Sequence, residues 1–526
     1  MVKGEDIDFS ISEQLNIGSY FLDINLERGR GDRIAIYYEN ETYTFKDLWA
    51  LTNKVGNVLR ELGVEPENRV LLILQDSPEW VASWLATMKI GGVGTHAYTY
   101  LKSSDYEYLM DLVRPKVVIA DQTTVDRVRR GSKNSRFPKA ILVAGETPEK
   151  LGEGEFSLYK MVESVRDHLE VEPTHRDDIA FWNFTGGTTG KPRGLPHMHR
   201  DWVVAYEACQ AVIHYTEEDL VLRVPKLFFH YARDLGMMFP LRAGAGVVLF
   251  PDKTTAKLIF DLVKLYKPSV LLNVPTMMRA MLQTPEQERT DLSCLRLCMS
   301  SGELLSAKLY EEWVKTFGGE VVNRFGSAES CMGYLCNRPG AMVPGSSGTV
   351  APMAEVKLVD NEGCEVPVGE PGVLMARCDA ASLYYVRDHE KSKATFLGDD
   401  WINTGDMFKQ DEKDYFWYLG RSDEMVKVSG VWVSPLEIER SLQAHSDVKE
   451  CVVFGLEDRD GLIMIKAFVV LNQVTKRSEK MADELKKFCK KNLASYKYPR
   501  VVEFLNELPK TGQGKIDKRQ LREQGL

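Results

Sequence analysis

The chain has 526 residues, 44% of them hydrophobic and 27% charged, which is enough for more than one domain with ample core. A formal net charge of -9 argues against a chain-wide nucleic-acid surface, although basic stretches such as 486 to 500 could meet an anionic ligand. The nine cysteines are scattered, and the close pairs Cys294/Cys298 and Cys331/Cys336 lack the second pair or the histidines of a structural zinc site. Reduced thiols in a cytoplasmic protein are therefore expected.

The start, MVKGEDIDFS, is acidic and has no apolar signal core, and no apolar run reaches bilayer length, so neither secretion nor membrane spanning is expected. Residues 45 to 62 carry Leu48, Leu51, Val55, Leu59 and Leu62 at three- and four-residue spacing, the apolar face of a packed helix. Short apolar runs bounded by turn residues, Val70 to Leu74, Val117 to Ala120, Ile141 to Ala144, Val247 to Phe250 and Val270 to Val274, alternate with amphipathic helices. That pattern predicts an α/β fold with buried strands.

Between the third and fourth of these runs lies FWNFTGGTTGKPRG, residues 181 to 194. Gly186, Gly187 and Gly190 let the backbone approach a polyphosphate, Thr185, Thr188 and Thr189 offer hydroxyls, and Lys191 and Arg193 supply charge. It is not a Walker A loop: Thr185 stands five residues before Gly190 where glycine is required, and Pro192 follows Lys191 where a metal-binding Ser or Thr is required. An ordinary glycine-rich surface turn is the competing reading.

From about 347 to 420 the strands shorten and turns multiply, which predicts an antiparallel sheet or small barrel. Beyond residue 423, Ser434-Pro435-Leu436-Glu437 reads as a capping box with proline at the first helical position. Two strands and a lysine-rich helix complete a small α+β domain.

Seven motifs in order, TGGTTGKPRG, KLFFHY (226 to 231), SSGE (300 to 303), RFGSAES (324 to 330), INTGD (402 to 406), GRSDEMVKVSG (420 to 430) and PKTGQGKID (509 to 517), run over nearly the whole chain. Through them the chain resembles the acyl-adenylate-forming acyl-CoA synthetase superfamily, most of all the benzoate-CoA ligase group. The resemblance implies an N-terminal part, 1 to 422, of two α/β subdomains plus a small β-barrel-like subdomain, and a mobile α+β C-terminal domain, 423 to 526, hinged at Asp423. It implies an AMP-forming acid-thiol ligase, in which a carboxylate attacks the α-phosphate of ATP and a CoA thiol then displaces AMP. The mixed anhydride makes the acyl carbon attackable and splits one hard step into two.

The residue roles it implies are as follows. Lys515 reaches the carboxylate and α-phosphate oxygens, and Glu329 ligates Mg2+. Thr185 to Lys191 hold phosphate, backbone around Gly302, Glu303, Arg324 and Phe325 lines the adenine with Phe325 stacking on it, and Gly326 and Ser327 complete the nucleotide site. Asp406 accepts from the ribose hydroxyls with Arg421 in support. Lys427, Gly430 and Trp432 serve CoA once the small domain has turned. Phe229, His230, Tyr231, Gly326, Cys331, Met332 and Gly333 line the acyl pocket.

Benzoate ligases resembling this chain tend to have alanine at His230 and histidine at Met332. A thioether there, with Gly333 adding room, suggests an apolar ring wider or less flat than benzoate, and cyclohexane- or cyclohexenecarboxylate fits that picture as well as benzoate does. Ala328 replaces a threonine expected to bond the α-phosphate, and Gly187 replaces a serine.

Other readings stay open: a medium-chain fatty acyl-CoA synthetase, a non-catalytic AMP- or acyl-CoA-binding protein on the same scaffold, and transfer to a carrier thiol. An amino-acid activator would need an acid near FFHY, and the first available is Asp234. Neither flux direction, ATP use or ATP formation, nor oligomeric state is encoded legibly; a homodimer would suit the family.

Overall fold

The computed structural model describes residues 1–145, 151–186, 191–428, 431–457, 463–473, 476–494, 497–509, 516–518 and 520–521. They fall into two compact units. The larger comprises residues 2–356 and 376–403, the smaller residue 1 with 357–375 and 404–526. The expected hinge residue, Asp423, lies within the smaller unit.

Two sheets organise the larger unit. In one, Arg69–Ile73 is flanked by Val93–His96 and Val117–Asp121, with Ala140–Ala144 and Glu155–Ser157 beyond, all parallel. The opposite edge is the antiparallel pair Ile179–Gly186 and Pro192–Met198. The second sheet has nine strands and a parallel centre that runs Ile34–Tyr38, Gly246–Leu249, Leu220–Arg223, Val270–Asn273, Leu297–Ser300 and Val321–Gly326. Central strands here are apolar on both faces because helices cover both, which is why they read as continuous runs in the sequence. Helix Phe45–Glu61 opens on a complete capping box, Thr44 with Asp47, and buries Leu48, Val55 and Leu59, while Leu51 is half-buried.

A buried ion cluster joins the two sheets. Asp76 Oδ2 accepts from Arg223 Nη2 at 2.6 Å, Asp76 Oδ1 accepts from the Leu227 amide at 3.0 Å, and Lys226 Nζ donates to the Phe250 carbonyl at 2.7 Å. Burial, opposed by Asp76, pushes the Lys226 ammonium down to about 8. The segment so anchored leads directly into Phe229, His230 and Tyr231.

In the smaller unit, Val448–Glu457, Ile463–Leu471 and Val501–Phe504 form a three-stranded sheet, with helices Pro435–Gln443 and Glu479–Asn492. Val433, Ile438, Leu442, Val453, Ile465, Ala467 and Leu485 make its core. Only half of the expected capping box forms: Ser434 accepts from the Glu437 amide, but the Glu437 carboxylate is drawn away to Lys497 Nζ at 2.7 Å.

On the same helix Glu439 is buried, accepts from the Val453 amide at 2.8 Å, and is pushed up by burial to about 7. Unfolded, it loses its proton near the model-compound value of 4.5, so between that pH and 7 the folded state binds the extra proton. Its contribution to stability is therefore present below 4.5 and lost as pH rises through 7, on the order of 3 kcal/mol. Glu439→Gln should remove that slope. In urea denaturation at pH 5 and pH 8 the variant should gain about 2 to 3 kcal/mol on the wild type between the two values.

Candidate active site

The glycine-rich segment is the tip of a β-hairpin. Thr185 stands opposite Arg193 and Gly186 opposite Pro192 on the antiparallel strands that lead in and out. Gly187, Thr188, Thr189 and Gly190 lie outside the described residues. Of the two cations expected to meet phosphate, Lys191 holds its Nζ 4.9 Å from the centroid of the Tyr108 ring. Arg193 corrects the expectation, because its Nε pairs with Asp388 Oδ2 at 2.8 Å and so its charge fastens the hairpin to the 376–403 segment.

Ser327 to Cys331 connect the strands Val321–Gly326 and Gly333–Cys336. Glu329 is held from both ends: Tyr385 donates its hydroxyl to Glu329 Oε1, and the Ser382 amide donates to the Glu329 carbonyl at 2.7 Å. Burial and the neighbouring carboxylate keep the Tyr385 phenol protonated. The Ser327 hydroxyl lies 3.0 Å from the Tyr334 hydroxyl.

Ala328 is held through its backbone. Its carbonyl accepts from His197 Nε2 at 3.1 Å and more weakly from Asn183 Nδ2 at 3.5 Å, while Asn183 Oδ1 accepts from Arg233 Nη2 at 2.8 Å. A carbonyl only accepts, so His197 carries a proton on Nε2. Its other nitrogen, Nδ1, lies 3.0 Å from Asp201 Oδ2 and 3.2 Å from Cys331 Sγ. Burial pushes up both the Asp201 carboxyl and the Cys331 thiol. Both groups share one ring nitrogen, so this is no nucleophilic relay, which needs base and nucleophile on opposite nitrogens. It is the one cluster of metal-ligand type among the described residues.

The result is a strut from the hairpin of Ile179–Gly186 and Pro192–Met198 to the Glu329 segment. His197→Ala would leave the Ala328 carbonyl and Asp201 short of a partner, at about 1–3 kcal/mol. A lower thermal midpoint and slower carboxylate-dependent exchange of pyrophosphate into ATP are expected, with the KM for the acid little changed.

On the acyl side, Phe229 is the N-cap of helix His230–Arg233, which continues through a π-helical turn, Asp234–Met238, into Phe239–Ala243. Such turns concentrate at functional sites. Tyr231, Cys331 and Met332 are buried. Met332 and Gly333 border a cavity of about 30 Å³ with Cys209, Leu235, Met299 and Arg324. The room expected at Gly333 is already taken, since a Cβ there would meet Arg324 Nε at 2.3 Å. Asp234 pairs with Arg233 Nε at 2.8 Å, and both side chains are at most 1% exposed, which removes it as a receptor for a substrate ammonium. Arg233 lies over the rings of Trp84, Phe181 and Trp202. Elsewhere in this unit, Glu303 Oε2 accepts from the Thr276 amide and hydroxyl, and Gly302 takes a left-handed φ of +79°.

Within the smaller unit Asp406 and Arg421 are register partners on adjacent strands, with Arg421 Nη1 3.1 Å from Asp406 Oδ2 and Tyr418 donating to Oδ1 at 3.2 Å. Asp423 is exposed, 3.8 Å from Arg421 Nε. Lys427 and Trp432 are paired across the hairpin Val426–Val428 and Val431–Val433. Gly430 and Lys515 lie outside the described residues. Sequence reasoning did not find His197, Asp201, Asn183, Tyr385 or Asp388; the charged pair Arg233-Asp234 inside an apolar helix was the available signal.

Residues 24–386 match the family described as AMP-binding enzyme, and residues 437–515 match the AMP-binding enzyme C-terminal domain. The chain belongs to the AMP-binding, adenylate-forming family. It is an AMP-forming acid-thiol (CoA) ligase, whose substrates are a carboxylate, ATP and CoA. Benzoate–CoA ligase of Thauera aromatica is 34% identical over 97% of this chain and 96% of its own. The 4-hydroxybenzoate–CoA/benzoate–CoA ligase of Rhodopseudomonas palustris is also 34% identical, over 96% and 93%. The crystal structure of the anthranilate CoA ligase AuaEII with anthranoyl-AMP superposes with a TM-score of 0.91 at 36% identity, covering 98% of both chains. No helix among the described residues of this adenylate-forming enzyme is long and apolar enough to cross a membrane.

Proposed function

We propose that this ligase activates a ring carboxylate, aromatic or alicyclic, as its acyl-adenylate and passes the acyl group to CoA. The observation that carries this reading is that Tyr231, Cys331 and Met332, expected to line the acyl pocket, are all buried, and that Met332 borders a largely apolar cavity with Met299 and Leu235. Relatives sharing 34 to 36% of residues are named for benzoate, hydroxybenzoate and anthranilate.

In the first half-reaction a substrate carboxylate oxygen attacks the α-phosphorus and pyrophosphate leaves, a displacement that depends on positioning and charge neutralisation. Lys515 supplies a cation to the carboxylate and α-phosphate oxygens. The hairpin holds the phosphates, Asp406 holds the ribose, and Gly302, Glu303 and Phe325 border the adenine. Glu329 fits a magnesium ion on donor chemistry, a hard oxygen ligand oriented by Tyr385. When bound, the ion would neutralise phosphate charge. With threonine absent at 328, the backbone strut from His197 keeps the segment placed.

In the second half-reaction the C-terminal domain, 423 to 526, turns about Asp423, Lys427, Gly430 and Trp432 face the thiol, and the thiol displaces AMP at the acyl carbon. Thioester and phosphoanhydride are comparably activated, so acyl-CoA, AMP and pyrophosphate should yield ATP.

Specificity constants for benzoate, cyclohexanecarboxylate and hexanoate test the reading. A ring acid should lead by tenfold or more, and preference for hexanoate would replace it with the medium-chain alternative. Carboxylate-dependent exchange of pyrophosphate into ATP separates either enzyme from a non-catalytic binder.

A further inference from the structure

Arg324 belongs to the strand Val321–Gly326, where successive side chains point to opposite faces, so its side chain leaves from the face opposite Phe325. It lies against the α-carbon of Gly333: a Cβ there would be 2.3 Å from Arg324 Nε, 2.7 Å from Cγ and 3.0 Å from Cδ. Any side chain at 333 would displace it. The arginine thus borders the cavity beside Met332, whose other walls, Cys209, Val212, Leu235, Met299 and Val322, are apolar.

Among the described residues the Arg324 guanidinium has no hydrogen-bond or ion-pair partner, in contrast to Arg223 with Asp76 and Arg233 with Asp234. No carboxylate borders that cavity. The Tyr231 hydroxyl, 8% exposed as a residue, likewise has no partner and lies within electrostatic range of Arg324. A buried hydroxyl without a partner is costly unless a ligand completes it, and the half-buried Arg324 guanidinium keeps its donors free for one. The cavity of about 30 Å³ has room for an oxygen-sized group beside the guanidinium.

We infer that Arg324 is a specificity-determining residue, selecting ring carboxylates that bear a second anionic group and pairing its guanidinium with that group. Tyr231 donates a further hydrogen bond to the same oxygens. The inference rests on the ring-carboxylate reading and sharpens it: the bare ring fills the acyl pocket but leaves the guanidinium unpaired, whereas a carboxylate substituent matches its fork of donors.

The test compares the three benzenedicarboxylates and their cyclohexane counterparts with benzoate, cyclohexanecarboxylate, the hydroxybenzoates and hexanoate, on the full-length wild type and on Arg324→Met and Arg324→Lys. In the wild type at least one dicarboxylate should exceed its monocarboxylate tenfold or more in kcat/KM. Arg324→Met should lower that ratio at least thirtyfold, and Arg324→Lys less, since an ammonium keeps the charge although it cannot fork. The ratio is taken on one preparation, so partial misfolding cancels. A wild type that prefers benzoate or a hydroxybenzoate to every dicarboxylate, or a ratio that Arg324→Met leaves unmoved, overturns the inference while the ring-carboxylate reading stands. Activity confined to hexanoate overturns both.

Discussion

Replacing Lys515 with alanine should lower carboxylate-dependent exchange of pyrophosphate into ATP by about a hundred- to a thousandfold, the usual effect of removing one preorganised group aimed at developing charge. The argument runs from the chemistry. As the carboxylate attacks, negative charge accumulates on oxygens that no covalent partner relieves, and a cation already in place stabilises it without reorganising solvent. Two half-reactions allow a sharper expectation. If the lysine serves adenylation alone, Lys515→Ala supplied with preformed acyl-AMP should transfer the acyl group to CoA at a rate within a fewfold of the wild type. If Gly430 borders the pantetheine path as proposed, a substitution there should behave in the opposite way and leave exchange intact. Equal loss in both half-reactions for Lys515→Ala would point to a damaged fold, and no loss in either would take the lysine out of the reaction.

The contrast between what could be read from the chain and what could not follows from the range of the forces involved. Runs such as Val117 to Ala120 and Val270 to Val274 announce buried parallel strands because a strand covered on both faces has no polar alternation to hide it. The helix over 45 to 61 was legible because its buried stripe and its Thr44 cap are local. The Ser434 box was legible in kind but incomplete in fact, since Lys497, 60 residues on, outbid the local amide for Glu437.

Contacts made across the fold left little trace. Arg193 looked like a phosphate ligand because nothing nearby in sequence reveals Asp388, 195 residues away. Gly333 looked like open room because the side chain that fills it belongs to another strand. His197 sits 131 residues from the carbonyl it holds, and its one outward sign is a histidine in a buried strand that is otherwise largely apolar or small. The motif carried Glu329, but the Tyr385 hydroxyl that orients it had to be found in space.

The second large effect is expected at Asp76, where no chemistry occurs. Its carboxylate ties the mouth of one sheet to the other: one oxygen takes Arg223, the other the amide of Leu227, two residues before Phe229. Arg223 is fully buried, with Nη1 donating to the Val248 carbonyl at 2.8 Å and Nε left without a partner. Asp76→Ala therefore leaves a guanidinium uncompensated in a low-dielectric interior, which costs about 3–5 kcal/mol. It also frees the Leu227 amide, so the entry to the acyl pocket loosens and the KM for the acid should rise together with the fall in stability. A buried pair is costly to break but need not be costly to replace. The double variant Asp76→Leu with Arg223→Met should regain most of the urea midpoint lost by Asp76→Ala, yet keep the raised KM, because neither new side chain accepts from Leu227. Recovery of both would mean that charge compensation alone matters, and recovery of neither that the carboxylate is needed to join the sheets.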